Sequence, residues 1–299
     1  MTGEPSSVLH PRPLRSALYT PGDRPRAIAK AAGLNADALI LDLEDAVAPD
    51  RKAEARAAAP DALAAFREAG RYGVLRIHAP GETETLSDLP CVGAGQPDAV
   101  LVAKAEDTGA LADLRSGLTS AGWSGPLWLM IETPRGVFLA EQLATAPGLA
   151  QALGVAVLVA GANDLAEGLR LPPGPHRRAG LTPYLARLVL AARAAGLAVL
   201  DGVYNAHTDA AGFTAEAQEA RLLGFDGKTL IHPAQIDPCH AAFRPGEVEI
   251  AHARAIIAAF DDPAHAGRGA IAVDGVMAER LHLDAARATL AAAQLGEKG

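Results

Sequence analysis

Short, uninterrupted apolar runs alternate with alanine-rich segments along most of the chain. The runs are Leu14–Tyr19, Ala38–Leu43, Val74–Ile77, Ala99–Ala103, Leu127–Ile131, Ala156–Ala160, Ala198–Leu200 and Thr229–Ile231. Their length and flanking Gly and Pro favour strands, although periodicity alone does not separate a buried strand from a short buried helix. The absence of polar alternation within them suits parallel strands covered on both faces. The intervening segments carry helix signals. Arg24–Ala32 stops at Gly33, and the stretch from Asp50 follows Pro49 and ends at Gly70. Asp107–Ala121, Pro183–Ala195 and Ala215–Leu223 each run into a glycine, at 122, 196 and 224.

Strand followed by helix, repeated through all eight runs, predicts an α/β fold of the (β/α)8 TIM-barrel type. A doubly wound open sheet is the runner-up. The barrel is expected over residues 14–235, with an additional C-terminal helical extension over 236–299 that serves oligomer contacts. Within that extension, helices are expected near Glu247–Phe260 and Met277–Leu295, with Gly267–Gly275 as a loop or linker. Leu171–Gly180, with its three prolines and two glycines, reads as a surface loop.

Composition narrows the function classes. Of 299 residues, 27 are Lys or Arg and 35 Asp or Glu, a net charge of -8 that argues against a nucleic-acid or anionic-membrane binder. Cys91 and Cys239 are too few for a disulfide framework. Met1–Pro13 has no apolar signal-peptide core, and Leu185–Leu200 is interrupted by Arg187 and Arg193, so a cytoplasmic protein without a membrane span is expected. No H-E-x-x-H, G-x-S-x-G or intact G-x-G-x-x-G occurs, and Gly227-Lys228-Thr229 lacks the first glycine of a P-loop.

In a (β/α)8 barrel the chemistry lies where the strands end. Those ends deliver Tyr19 to Asp23, Asp42-Leu43-Glu44-Asp45, Arg76 with His78, Lys104, Glu132, Asn163-Asp164, Asp201 and His232. Singly, each could be a helix cap or a solvated end. Together they describe a metal-and-anion site. Glu132 and Asp164 could give two oxygens to Mg2+, which takes one or two protein carboxylates and fills its shell with water and substrate. Glu44 and Asp45 are natural acceptors for metal-bound water and candidate catalytic carboxylates. Arg76 offers a planar donor for a carboxylate or a developing enolate, or else a salt bridge inside the acidic ring. Arg24, Arg26 and Lys30 lie on one short helix, as a phosphate-contacting face or simply a solvated one.

Several strings resemble the citrate lyase β-subunit-like family of the HpcH/HpaI aldolase/citrate lyase group. They are Arg15 to Asp23 (RSALYTPGD), Ala36 to Val47 (ADALILDLEDAV), Ile131-Glu132-Thr133, Asn163-Asp164-Leu165 and Gly224 to Ile236 (GFDGKTLIHPAQI). The likeness runs from Leu14 to Leu290, in order. It implies a barrel with extra C-terminal helices, assembled as a homotrimer or dimer of trimers. It also implies a Mg2+-dependent carbon–carbon lyase acting on malyl-, citramalyl- or citryl-CoA-type thioesters. The family's metal carboxylates fall on Glu132 and Asp164 and its substrate arginine on Arg76. Its contacts to the acyl and coenzyme A portions fall near Tyr19, Arg24, Lys30, Asn163, Ile231 and His232. Members active in thioester hydrolysis place an aspartate late in the chain. Here Asp274-Gly275-Val276-Met277-Ala278 leads to Glu279, so the likeness does not carry hydrolysis over. Two alternatives stand beside the lyase: a 2-keto acid aldolase acting on free acids, and a non-catalytic thioester-binding subunit of a larger complex. A Schiff base through Lys104 is disfavoured by the abundance of rim carboxylates.

Overall fold

The computed structural model describes residues 14–295 except Pro175, Ala266 and Asp274. The readings placed on Met1–Pro13 and on Asp274 therefore lie outside the described residues. Two compact units divide after Ala242.

The first unit is a closed barrel of eight strands in the order β1 to β8, each parallel to its neighbours. It opens with β1 (Ser16–Pro21), α1 (Pro25–Ala32), β2 (Ala38–Asp42), α2 (Lys52–Glu68), β3 (Tyr72–Ile77) and α3 (Thr83–Gly95). Next come β4 (Ala99–Val102), α4 (Thr108–Ser120), β5 (Leu127–Ile131), α5 (Pro134–Thr145), α6 (Leu149–Leu153), β6 (Val155–Ala160) and α7 (Ala162–Gly168). Helix α8 (Arg177–Ala195), β7 (Ala198–Asp201), α9 (Ala210–Leu223), β8 (Gly227–Leu230) and α10 (Ile236–Phe243) complete the series. The ring shuts where Ser16, Ala17 and Leu18 pair with Lys228, Thr229 and Leu230. The open doubly wound sheet is thereby excluded. Helix α8 begins well ahead of Pro183, so the end of Leu171–Gly180, expected as loop, is helical.

Burial explains the strand sequences. One set of side chains, at every second position, fills the interior: Ala17 and Tyr19, Ala38 and Ile40, Ala99 and Leu101, Trp128 and Met130, Val157 and Val159, Ala198 and Leu200. The alternate residues, such as Leu39, Leu41, Val100 and Leu129, are fully buried too, under the helices. Both faces being covered, the strands read as continuous apolar runs. At the start of β1, Arg15 makes a two-point contact with Asp37, at 2.9 Å from Nε and 2.8 Å from Nη2. Ser16 Oγ lies 2.7 Å from His240 Nε2, fastening α10 to that end of the barrel.

The second unit, from Phe243, contains α11 (Glu247–Asp261), β9 (Ala270–Val273), β10 (Val276–Glu279) and α12 (Arg280–Leu295). Its own apolar cluster includes Ile256, Ile271, Val273, Ala278 and Leu283. Two expectations are corrected here. The segment read as a loop, Gly267–Gly275, contains β9, and the segment read as the start of a helix, from Met277, is mostly β10. The two strands form an antiparallel hairpin, Ala270 opposite Glu279 and Val273 opposite Val276. Four-residue strands are too short to show a period-two pattern against a helical background.

Candidate active site at the barrel mouth

Continuing the inward-facing series by two residues past the apolar layer brings β2 to Asp42, β3 to Arg76 and β5 to Glu132. The last polar residue of each inward row therefore faces the same end of the barrel, where the strands finish.

Arg76 is nearly buried and fixed from two sides. Its Nε and Nη2 donate to Asp42 Oδ1 and Oδ2 at 2.7 and 2.5 Å. Its Nη1 lies 3.0 Å from Glu44 Oε2 and 3.8 Å from Asp45 Oδ2. Below, the guanidinium carbon sits 4.9 Å from the centre of the Tyr19 ring. Burial opposes its charge, but the neighbouring Tyr19, Asp42 and Glu44 outweigh burial and raise its pKa far above the ordinary arginine value. Asp42 also shapes the loop beyond β2, accepting the backbone N–H of Glu44 at 2.9 Å and of Ala46 at 3.2 Å.

Glu44 is buried and spans two cations. Its Oε1 receives Lys104 Nζ at 2.7 Å, while Oε2 faces Arg76 and accepts the Asp45 N–H at 3.0 Å. Burial pushes its carboxyl up, but Arg76 and Lys104 overcome this and hold it below the usual carboxylate range. Asp45 is exposed at the loop tip. Partial desolvation and the adjacent Glu44 charge raise its carboxyl above the usual value.

Lys104 adopts a left-handed backbone, φ 44°, uncommon for a residue with a side chain. That turn aims its N–H at Glu132 Oε1, 2.7 Å away, while its ammonium meets Glu44. Burial disfavours the ammonium, but Glu44, Asp45 and Glu132 outweigh it and raise its pKa.

Glu132 is buried, and among the described residues no ion pair reaches it. Burial, helped by Glu44 and Asp164 and opposed by the Lys104 N–H, pushes its carboxyl up to about 7. Gly161 makes room for it: a Cβ there would stand 2.2 Å from Glu132 Cβ and 2.8 Å from Oε2. Asp164 lies in the first turn of α7, whose N-cap is Gly161, so neither Asn163 nor Asp164 caps that helix. No cluster of three or more His, Cys, Asp or Glu suited to a metal occurs among the described residues. Two carboxylates, one of them raised by burial and then by Glu44 and Asp164, nonetheless fit Mg2+, a hard cation that completes its shell with water and ligand oxygens.

The remaining candidates lie around this centre. Arg24 and Lys30 are exposed, at the N-cap and in the last turn of α1. Asn163 exchanges amide hydrogen bonds with Asn205, at 3.2 and 2.8 Å. Ile231 is 40% exposed, and its N–H donates to Gln235 Oε1 at 3.0 Å. His232 accepts the Ala234 N–H at 3.2 Å and lies against the His207 ring at a tilt of 32°, ring centres 5.1 Å apart. Tyr19 sits in the interior layer beneath Arg76, its hydroxyl 3.9 Å from Met130 Sδ. Burial raises its pKa well above the usual phenol value.

Two strand-end groups do not join the site. Asp201 is fully enclosed between Lys228 Nζ, 2.7 Å from its Oδ2, and Arg178 Nη1, 2.9 Å from its Oδ1. Because Arg178 belongs to α8 and Lys228 also meets Glu216 of α9 at 2.7 Å, this network faces the helices. His78 turns to Asp88 of α3, Nδ1 to Oδ2 at 2.7 Å. Conversely, Asp42 and Asn205 belong to the assembly although sequence reasoning gave them no role. Asp42 was visible as a strand end, whereas Asn205 carried no signal.

Comparison with known proteins places the chain in a family. The model of the HpcH/HpaI aldolase/citrate lyase family matches residues 15–233. A (3S)-malyl-CoA thioesterase of Cereibacter sphaeroides (strain ATCC 17029 / ATH 2.4.9) is 42% identical over 285 residues, covering 94% of this chain and 95% of its own. The citrate lyase subunit beta of Escherichia coli (strain K12) is 32% identical, covering 95% and 94%. The crystal structure of CitE from Mycobacterium tuberculosis in complex with magnesium, acetoacetate and coenzyme A superposes with a TM-score of 0.76 at 30% identity, covering 94% of this chain and 98% of that one. The match over the whole barrel, and over nearly the full length of these relatives, means that the chain belongs to the HpcH/HpaI aldolase/citrate lyase family.

Proposed function

We propose that the protein is a Mg2+-dependent carbon–carbon lyase that cleaves a β-hydroxyacyl-CoA thioester of malyl, citramalyl or citryl type. The observation that carries this reading is the buried Glu132, raised in part by Asp164 and reached by no ion pair among the described residues, at the same end of the barrel as the buried Arg76. The two carboxylates would hold Mg2+, which supplies Lewis acidity toward the oxygens of the keto-acid fragment.

The chain's own residues divide the remaining work. Arg76, locked in plane by Asp42 and with Nη1 turned to Glu44 and Met130, keeps a hydrogen on Nη2 for the thioester oxygen, where charge collects as the carbon–carbon bond breaks. Both oxygens of Glu44 are engaged by Lys104, Arg76 and the Asp45 N–H, so Glu44 holds the cations in place. Asp45 is exposed and more basic than an ordinary aspartate, which suits it to take the hydroxyl proton. Arg24 and Lys30 would meet the phosphates of coenzyme A, with Asn163, Ile231 and His232 lining the acyl and pantetheine path. Lys104 is an ammonium paired to Glu44, and this argues against Schiff-base chemistry.

We also propose a homotrimer or dimer of trimers built through the extension from residue 236, where Val276, Met277 and Leu281 are exposed. No helix among the described residues is long and apolar enough to cross a membrane, and a cytoplasmic location is proposed with it.

A second reading, hydrolysis of the thioester, is favoured by the name of the Cereibacter relative. Malyl-, citramalyl- and citryl-CoA, each with and without EDTA, separate the readings. Release of glyoxylate, pyruvate or oxaloacetate together with an intact acyl-CoA supports the lyase. Free coenzyme A without a keto acid supports hydrolysis. Cleavage unaffected by EDTA, or of free acids only, overturns the proposal.

A further inference from the structure

Lys52 opens α2, outside the ring of rim residues, yet its ammonium reaches back to the acidic loop. It donates to the carbonyls of Leu43 and Glu44 at 3.3 and 3.1 Å, and its third contact is His78 Nε2. An ammonium has three hydrogens, and here each has an acceptor. His78 can accept at Nε2 only if its proton sits on Nδ1, and Asp88 Oδ2, 2.7 Å from Nδ1, selects that tautomer. Asp88 is fully buried. It also takes the His78 N–H at 3.0 Å, and its other oxygen takes Arg56 Nε at 2.7 Å. Arg56, Asp88, His78 and Lys52 thus form one chain of charge-assisted contacts from α2 and α3 to the two peptide carbonyls that carry Glu44.

The same loop is tied at other points. The Leu43 N–H donates to the Arg76 carbonyl at 3.1 Å, and the Val47 N–H to the Glu44 carbonyl at 3.2 Å. The amides of Glu44 and Ala46 bond to Asp42, and that of Asp45 to Glu44 Oε2. All of these are short-range bonds within the loop or to the adjacent strand. Among the described residues, Lys52 alone reaches its carbonyls from a helix and carries a charge. Arg76 and Lys104 pair with the side chains of Asp42 and Glu44, whereas Lys52 holds the loop by its backbone.

We propose that Lys52, held by His78 and Asp88, is the positioning residue that clamps the Leu43–Val47 loop so that Glu44 and Asp45 face Arg76. The link to catalysis rests on the lyase reading; the clamp itself does not. Lys52→Met removes the charge at similar length, and Lys52→Gln is a milder variant should the first fail to fold. Hydrogen exchange, peptide by peptide, reports on the amides of residues 44–47 directly. Their exchange should quicken by about tenfold or more in Lys52→Met and by less in Lys52→Gln, with other barrel peptides unchanged. In steady-state kinetics kcat should fall by about tenfold or more, with KM for the thioester changed by less than about threefold, because the coenzyme A contacts are untouched. Propylammonium, which replaces the missing atoms in Lys52→Ala, should restore part of kcat. Unchanged exchange at 44–47 in a folded variant overturns the clamp, whatever the activity. Faster exchange with unchanged kcat overturns its role in the reaction. A wild-type enzyme without lyase activity refutes the function and leaves the exchange experiment to decide the clamp.

Discussion

Arg76 and Asp42 face each other across β2 and β3 as a planar two-point pair, at 2.7 and 2.5 Å, both side chains almost wholly buried. The pair makes the arginine's orientation a property of the barrel wall. From the sequence, Arg76→Ala is expected to abolish turnover and leave the fold intact. The structure changes the second half, since removing one partner of a buried pair typically costs about 3–5 kcal/mol. Arg76→Ala should lower both kcat and the unfolding midpoint. Asp42→Asn keeps the shape and some hydrogen bonding while freeing the guanidinium to swing. It should reduce kcat by about 10²-fold, the scale of losing one well-placed donor. Turnover assays paired with urea melts check both, and an Asp42→Asn enzyme with normal kcat would contradict the pairing's importance.

Gly161 leaves space that no larger residue can share with Glu132. In Gly161→Ala the new methyl would lie 2.2 Å from Glu132 Cβ, so the glutamate must move. Mg2+ binding by titration calorimetry should weaken at least as much as turnover falls, and Glu132→Ala should abolish it. Wild-type Mg2+ affinity in both variants would remove Glu132 from the metal site.

Lys104 should resist trapping. Borohydride added during turnover should leave the protein's intact mass unchanged, because an ammonium paired to Glu44 at 2.7 Å is no nucleophile. Lys104→Met should still lower kcat, since it removes a partner of Glu44. A borohydride-dependent mass increase mapped to Lys104 would reverse the assignment.

Asp201 links stability to acid. Burial raises its carboxyl, but Lys228 and Arg178 outweigh burial and hold the folded-state pKa below that of the unfolded chain. Its contribution is therefore complete above the unfolded carboxylate value, about 4, and is lost as pH falls through the folded one. Urea denaturation from pH 7 down to below the unfolded carboxylate value, about 4, should show a steeper acid loss in wild type than in Asp201→Asn. Parallel curves would refute the linkage.

The strands were legible because both faces are covered, which leaves apolar runs such as Leu127–Ile131 with unchanged boundaries in the fold. The same coverage concealed which residues point inward. Nothing local distinguishes Asp42, which faces the mouth, from Asp201, which faces α8 and α9; the difference is strand parity and the cations waiting on the helices. His78 stood out only by its place at a strand end, and its partner Asp88 lies on α3, away from any strand-end signal in the sequence. The hairpin of β9 and β10 escaped because each strand has only four residues beside long helical patterns. Glu132, Asp164, Arg76 and Glu44 were legible as strand-end charges, whereas the left-handed turn that joins Lys104 to Glu132 is a backbone property without a sequence signature.

The placing of the site's centre on β2 to β6, away from the seam where Ser16 to Leu18 meet Lys228 to Leu230, has a consequence for how the protein comes into being. Asp42, Arg76, Lys104, Glu132 and Asp164 come from at or just beyond the ends of five consecutive strands, β2 to β6, so no four-strand half of the barrel gathers them all. Loop-closure entropy must be met before any of the site's charges are compensated or brought into conflict. Ligand capture during refolding therefore reports the assembly of β2 to β6, and a chain nicked between β4 and β5 should regain it only as the fragments reassociate.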